Sequence, residues 1–142
     1  MPENISEIKA ERVTETLVVY QQKGVFSFGT DAMLLADYVS EQQSAAGAKK
    51  LCDLCSGTGI LSLVLCDRFP GLAAEAIEIN PAAARLSEKS AAESGLAERF
   101  HASCADIKNV RSLFDSESFD FVVCNPPYMR ADSGKHCEHP II

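Results

Sequence analysis

Four short groups of residues carry functional side chains at spacings that chemistry can use. The first, Asp53-Leu54-Cys55-Ser56-Gly57-Thr58-Gly59, joins a carboxylate to two glycines that let a backbone approach a ligand closely. Glu78 follows at the distance where a β-α-β unit brings a carboxylate onto both hydroxyls of a ribose. A dinucleotide fingerprint would need glycine at position 62, which is Ser62, so a smaller nucleoside fits better than a pyrophosphate-bearing one. The plainer readings are a turn without a ligand and a solvated carboxylate. Asp106 can accept a hydrogen bond from an adenine amino group while Ile107 packs on the ring; it can also simply cap a short helix. In Asn125-Pro126-Pro127-Tyr128, the Asn125 side-chain carbonyl and the Pro126 carbonyl would each accept one N–H of a planar amino group. That draws the nitrogen lone pair out of conjugation, while the Tyr128 ring stacks on a flat substrate. Taken alone, the same tetrapeptide is a stiff turn.

Each group sits where a strand gives way to a turn or a helix. Residues 51–54 read as a short strand, 55–59 as a glycine turn, and 60–68 as a helix with Ile60, Leu61, Val64 and Leu65 on one face, stopped by Pro70. Residues 73–79 read as the next strand. Asn80 caps a helix that starts on Pro81 and closes at Gly95. Residues 100–104 are a third strand, 110–114 a short helix and 119–124 a fourth strand. Three successive β-α-β units require parallel strands and right-handed crossovers, so the expected core is an open doubly wound, mostly parallel α/β sheet. All four chemical groups then lie at the carboxyl ends of strands, where such sheets bind ligands. Upstream, residues 16–21 read as a strand that residues 23–28 can join as a hairpin. A helix starts at Thr30 or Asp31 with apolar residues at Met33, Leu34, Ala36, Tyr38 and Val39. Residues 1–48 therefore read as an extension on a core of residues 49–142, whose final stretch from Asn125 is loop.

Composition bounds what these groups can serve. The 142 residues are 46% hydrophobic and 23% charged, a globular balance close to the size of one domain. A net charge of -7 argues against a surface that grips nucleic-acid phosphates everywhere. Arg130, Lys135, Lys49 and Lys50 are the candidate phosphate contacts, with solvated surface as the plainer reading. The longest apolar stretch, residues 32–39, is broken by Asp37 and is too short to span a membrane. The amino terminus shows no secretory h-region, which reads as cytoplasmic. Six cysteines fall mostly in apolar stretches, as free thiols do in a reducing compartment. Cys52 and Cys55 form a C-x-x-C without the second pair a zinc site needs, and His136-Cys137-Glu138-His139 falls in the terminal loop. No metal is expected.

In their order along the chain, DLCSGTG, the acidic end of AIEIN, Ala105-Asp106 and NPPY resemble the class I S-adenosylmethionine-dependent methyltransferases that act on amino nitrogen, a Rossmann-like fold. The stretch KGVFSFGTDAMLLA, residues 23–36, is similar to the entry segment of the bacterial valine-tRNA adenine-N6 methyltransferase family, which modifies the adenosine beside the anticodon. The resemblance covers about residues 12–130. It implies that Asp53 and Gly57 to Gly59 line the methionine and ribose portion of S-adenosylmethionine, that Glu78 binds the ribose hydroxyls and that Asp106 holds the adenine amino group. Phe28, Thr30 and Asp31 would close the methionine end. Asn125, Pro126 and Tyr128 would present the target nitrogen, with tRNA as the expected partner. Cys55 stands where many class I enzymes carry glycine. NPPY also serves DNA adenine and release-factor glutamine methylation, and a non-catalytic cofactor-binding fragment is a further alternative. Class I enzymes have a seven-stranded sheet, so the resemblance implies a chain that stops after four core strands. Weak activity alone and self-association through an unpaired sheet edge are expected.

Overall fold

The computed structural model describes residues 8–22, 30–42 and 47–126. Strands β1 (Ile8–Arg12) and β2 (Val18–Gln22) form an antiparallel pair and are followed by helix α1 (Thr30–Glu41). Then come β3 (Lys50–Leu54), α2 (Ile60–Arg68), β4 (Ala73–Glu78), α3 (Pro81–Glu93) and β5 (Phe100–Cys104). A 3-10 turn (Ile107–Asn109) leads into the single-turn helix α4 (Val110–Leu113) and then β6 (Phe121–Cys124). Strands β3 to β6 form one parallel sheet in the order β5-β4-β3-β6. The chain therefore steps outward twice and returns to the other side of β3, which puts the topological switch point between β3 and β6.

The expected doubly wound sheet is present, and local chemistry explains its elements. Asn80 Oδ1 accepts from the N–H groups of Ala82 (2.9 Å) and Ala83 (3.2 Å), and Pro81 opens α3. Past the end of that helix, Gly95 takes φ +74°, the left-handed region glycine enters without steric cost. Sheet residues Leu51, Ala74, Ala76, Phe100 and Val123 join Ile60, Leu63 and Val64 of α2 in one core. The opposite face is closed only in part: Cys52 and Ile77 are buried there, while Val122 is 54% exposed.

Helix α2 is buried through Cys66, as befits a helix enclosed between layers. Its outer side is pinned at the carboxyl end. Asp67 accepts from the hydroxyls of Thr14 (2.9 Å) and Thr16 (2.5 Å) at the β1–β2 turn. Arg68 pairs with Asp37 (2.8 Å) and donates to Ser40 Oγ (3.0 Å) on α1. Leu17, Val19, Ala32, Ala36 and Val39 belong to the same core as the sheet, so the amino-terminal elements share one interior with it.

The proposed return strand, residues 23–28, lies outside the described residues, and the described partner of β2 is the upstream β1. The other edge of β2 is met by serine hydroxyls of α3. Val18 N–H donates to Ser94 Oγ (2.9 Å), which donates back to the Val18 carbonyl (3.1 Å), and Tyr20 N–H donates to Ser90 Oγ (2.8 Å). On α1, the buried residues are Ala32, Ala36 and Val39, whereas Leu34 (62% exposed) and Tyr38 (61% exposed) face solvent. Positions 32, 36 and 39 follow helical spacing, and small alanines allow close packing on α2. Leu34 and Tyr38 fall on the opposite side of that stripe.

Candidate functional site

The turn after β3 is held in an unusual backbone path. Cys55 (φ +57°), Gly57 (φ +58°) and Gly59 (φ +86°) all lie in the left-handed region, which a cysteine enters only against steric resistance. Ser56 N–H donates to the Ile77 carbonyl (3.0 Å), and Gly59 N–H donates to the Ser56 carbonyl (2.9 Å). Gly59 also serves packing. A Cβ at that position would stand 2.9 Å from Ser87 Cβ and 3.2 Å from Leu63 Cδ1 and from Phe100 Cζ.

Three carboxylates lie along this edge of the sheet. Asp53, on β3, is 1% exposed, and its Oδ2 has no hydrogen-bond partner among the described residues; the buried Ser56 Oγ is likewise unpartnered there. Burial pushes the Asp53 carboxyl up to about 7, the hydroxyl and N–H of Ser62 work against this, and the Glu78 charge adds to it. Buried polar atoms without partners are costly; two beside one glycine turn mark a place prepared for polar ligand groups. Glu78, buried at the end of β4, accepts from Gly57 N–H through Oε1 (2.8 Å) and from Asn80 N–H through Oε2 (2.9 Å). Each oxygen keeps further acceptor capacity for a hydroxyl. Asp106, half-buried after β5, caps the 3-10 turn by accepting from Lys108 N–H (2.9 Å). The capping reading therefore holds, and its second oxygen remains on the same edge beside half-buried Ile107.

Asn125 and Pro126 follow β6 and are half-buried. They lie across the switch point from the glycine turn, because β3 and β6 are paired neighbours. Pro127, Tyr128, Phe28, Arg130, Lys135 and the 136–139 cluster lie outside the described residues. Thr30 and Asp31 are exposed at the start of α1 and make no side-chain hydrogen bond to the turn among the described residues. Lys49 and Lys50 sit at the amino end of the sheet, opposite the site, where their N–H groups donate to Asp120 (2.7 and 2.9 Å). Among the described residues no three His, Cys, Asp or Glu side chains are grouped for a metal, and no helix is long and apolar enough to cross a membrane.

Ser62 and Asn80 emerge as supporting residues that sequence reasoning did not assign to the site. Ser62 is a fully buried polar residue between Leu61 and Leu63 of α2, and a serine in so apolar a run was a signal in itself. The Asn80 N–H contact with Glu78 had no separate signal, because that residue was already explained as a cap.

Carboxylates, unpartnered polar atoms and a glycine turn gather at the switch point of a parallel α/β sheet, the place where this fold class binds its ligands. The chain belongs to the methyltransferase small domain family, whose model matches residues 16–140. It is 33% identical over 105 residues to a tRNA1(Val) (adenine(37)-N6)-methyltransferase of Porphyromonas gingivalis, covering 72% of this chain and 41% of that protein. A release factor glutamine methyltransferase of Clostridium acetobutylicum is 31% identical over 111 residues, 78% of this chain and 39% of that protein. An RNA methyltransferase from Salinibacter ruber, crystallised with S-adenosyl-L-homocysteine, shares the fold with a TM-score of 0.57 at 21% identity, over 70% of this chain and 60% of that one. The chain spans less than half the length of the curated relatives it matches.

Proposed function

We propose that the chain forms the cofactor-binding part of an S-adenosylmethionine-dependent enzyme that methylates an exocyclic amino nitrogen, adenine N6 in tRNA beside the anticodon. The observation that carries this reading is the pair of buried, unpartnered atoms Asp53 Oδ2 and Ser56 Oγ beside Glu78, next to the strand that leads into Asn125 and Pro126. Their chemistry fits the cofactor. Asp53 would take its α-ammonium and Ser56 its carboxylate. Glu78 would take the ribose hydroxyls with the acceptor capacity left after Gly57 and Asn80. Asp106 would hold the adenine amino group, with Ile107 on the ring, and Thr58, Cys55, Phe28, Thr30 and Asp31 would complete the walls.

When bound, S-adenosylmethionine supplies an electrophilic methyl group. The chain's own part is alignment. Asn125 and the Pro126 carbonyl accept the two amino hydrogens and leave the nitrogen lone pair free to attack. Pro127 would stiffen that turn and Tyr128 would stack on the base. An RNA-loop base splays out to reach such a site more cheaply than one from a duplex. Lys49 and Lys50 stand at the wrong end of the sheet to hold RNA there, which fits their reading as solvated surface and the acidic balance of the chain. A tRNA partner and a cytoplasmic setting follow from this reading, as does the division into a 1–48 extension and a 49–142 core.

Glutamine methylation of a release factor is the second reading, favoured by the Clostridium acetobutylicum relative. Tritiated methyl transfer from S-adenosylmethionine to tRNA, release factor and duplex DNA, run side by side, separates the two. Label in tRNA alone supports the proposal; label in the release factor alone replaces it. Calorimetry adds a test that needs no turnover: Asp53→Ala should abolish cofactor binding and Asn125→Ala should spare it, whereas equal losses would merge the two roles.

A further inference from the structure

The carboxyl ends of β3 and β6 also bring together two thiols that methyl transfer leaves unused. Leu54 is the partner of Cys124 in the parallel pairing, so Cys55, one residue on, lies diagonally across from it. Neighbouring strands lie about 4.8 Å apart, and Cys55 follows Leu54 directly at the start of the left-handed turn, so the two thiols stand at adjoining strand ends. Both thiols are free, with Cys124 exposed, and Cys124 is near enough to act on the Cys55 thiol. Cys52 and Cys104, the other described cysteines on the sheet, are out of reach. Cys52 pairs with Val122, about 8 Å from Cys124 at that strand spacing and a rise of about 3.3 Å per residue, and Cys104 is separated from β3 by β4. Both exceed the limit of about 7 Å.

We propose that Cys55 and Cys124 are a reversible dithiol–disulfide pair, closed by a peroxide and opened by a thiol reductant, that switches the adjoining site. Burial first, and then Cys124 beside it, push the Cys55 thiol up to about 12, so the exposed Cys124 is the thiol that meets the oxidant. Its thiolate attacks a peroxide oxygen, the O–O bond breaks, and a sulfenic acid and hydroxide form. Cys55 sulfur then attacks the Cys124 sulfur, the S–O bond breaks, and the oxygen leaves as water with the Cys55 proton. In sum two thiols are oxidised and one hydrogen peroxide is reduced to two waters. Closure draws the two sulfurs to about 2.05 Å. The bond then ties the turn of residues 55–59 to the strand end before Asn125 and fixes both side chains in one geometry. The effect on the cofactor rests on the proposed function; the bond itself does not.

The test treats the whole chain with hydrogen peroxide, blocks remaining thiols, and maps disulfides by mass spectrometry after digestion. A Cys55–Cys124 cross-linked peptide is expected. It should be removed by dithiothreitol and absent from both Cys124→Ser and Cys55→Ser, with folding checked by circular dichroism. In parallel, affinity for S-adenosylhomocysteine should fall about tenfold or more on oxidation and return on reduction, as misplacement on the ångström scale predicts. Sulfinic acid at Cys124 without a bridge, or bridges only from Cys124 to Cys137, would overturn the pair. A bridge that leaves the affinity unchanged would overturn the switch. If the bridge forms but the reduced chain binds no S-adenosylhomocysteine, the methyltransferase reading fails and the pair stands.

Discussion

Replacing Glu78 with glutamine changes one oxygen to an amide nitrogen in a place where both oxygens are committed. In the native chain Oε1 takes the Gly57 N–H at 2.8 Å and Oε2 takes the Asn80 N–H at 2.9 Å. The amide keeps one acceptor and sets its NH2 against the other N–H, donor to donor. One charge-assisted hydrogen bond is lost at about 1.5–3 kcal/mol, and a buried donor is left unsatisfied. The second bond also becomes neutral, so Glu78→Gln should destabilise the ligand-free chain by about 2–4 kcal/mol. Urea unfolding followed by circular dichroism gives this number directly. Affinity for S-adenosylhomocysteine should fall as well, because the turn loosens and the amide offers a ribose fewer acceptors. If Glu78 acted only on ribose, unfolding of the ligand-free variant would match the native chain within about 0.5 kcal/mol. That outcome would refute the double clamp.

Three further outcomes follow from the same geometry. Gly59→Ala should cost about 2 kcal/mol or more in thermal or urea unfolding, since a Cβ at φ +86° would also stand 2.9 Å from Ser87 Cβ. An unchanged midpoint would show that the turn relaxes freely. The Asp53 carboxyl, pushed up to about 7 by burial, is half-protonated near neutrality, and an ammonium beside it favours the charged form. Cofactor binding should therefore release a proton near pH 7, and affinity should rise as pH climbs through that value. Calorimetry in buffers of different ionisation enthalpy reads this, and equal apparent enthalpies would contradict it. Without ligand, the raised carboxyl favours folding at low pH and that advantage is lost as pH rises towards about 7; Asp53→Asn should flatten this slope. Ser90→Ala removes the acceptor of the Tyr20 N–H, costing about 1–3 kcal/mol, with faster hydrogen exchange in β2 as its local signature.

The stretch from Lys50 to Cys124 was legible because its apolar runs are short and its boundaries are written in local chemistry. Gly57 and Gly59 mark a turn, Pro70 stops a helix, and Asn80-Pro81 and Gly95 bracket another. The alignment of Asp53, Glu78, Asp106 and Asn125 on one edge followed from the β-α-β rule alone. What stayed hidden depends on distant partners. β1 is almost wholly exposed and shows no alternation to detect. The outer edge of β2 is met by Ser90 and Ser94, some seventy positions away. On α1 the close fit against α2 selected the small residues Ala32 and Ala36, while the apolar Leu34 and Tyr38 face solvent. Gly59 looked like a ligand-approach glycine because Ser87 and Phe100 cannot be placed beside it from sequence. The second role of Glu78 needed the end of β4 and the turn after β3 in one frame.

Backbone amide shifts in NMR, recorded while S-adenosylhomocysteine is titrated into the chain, test most directly whether the switch point between β3 and β6 is the cofactor site. The largest changes should fall on residues 55–59, on Glu78 to Asn80, on Asp106 to Lys108 and on Asn125, with smaller ones elsewhere. Changes centred instead on the cavity lined by Lys50, Glu75, His101 and Phe114 at the amino end of the sheet, or no changes at all, would contradict the account.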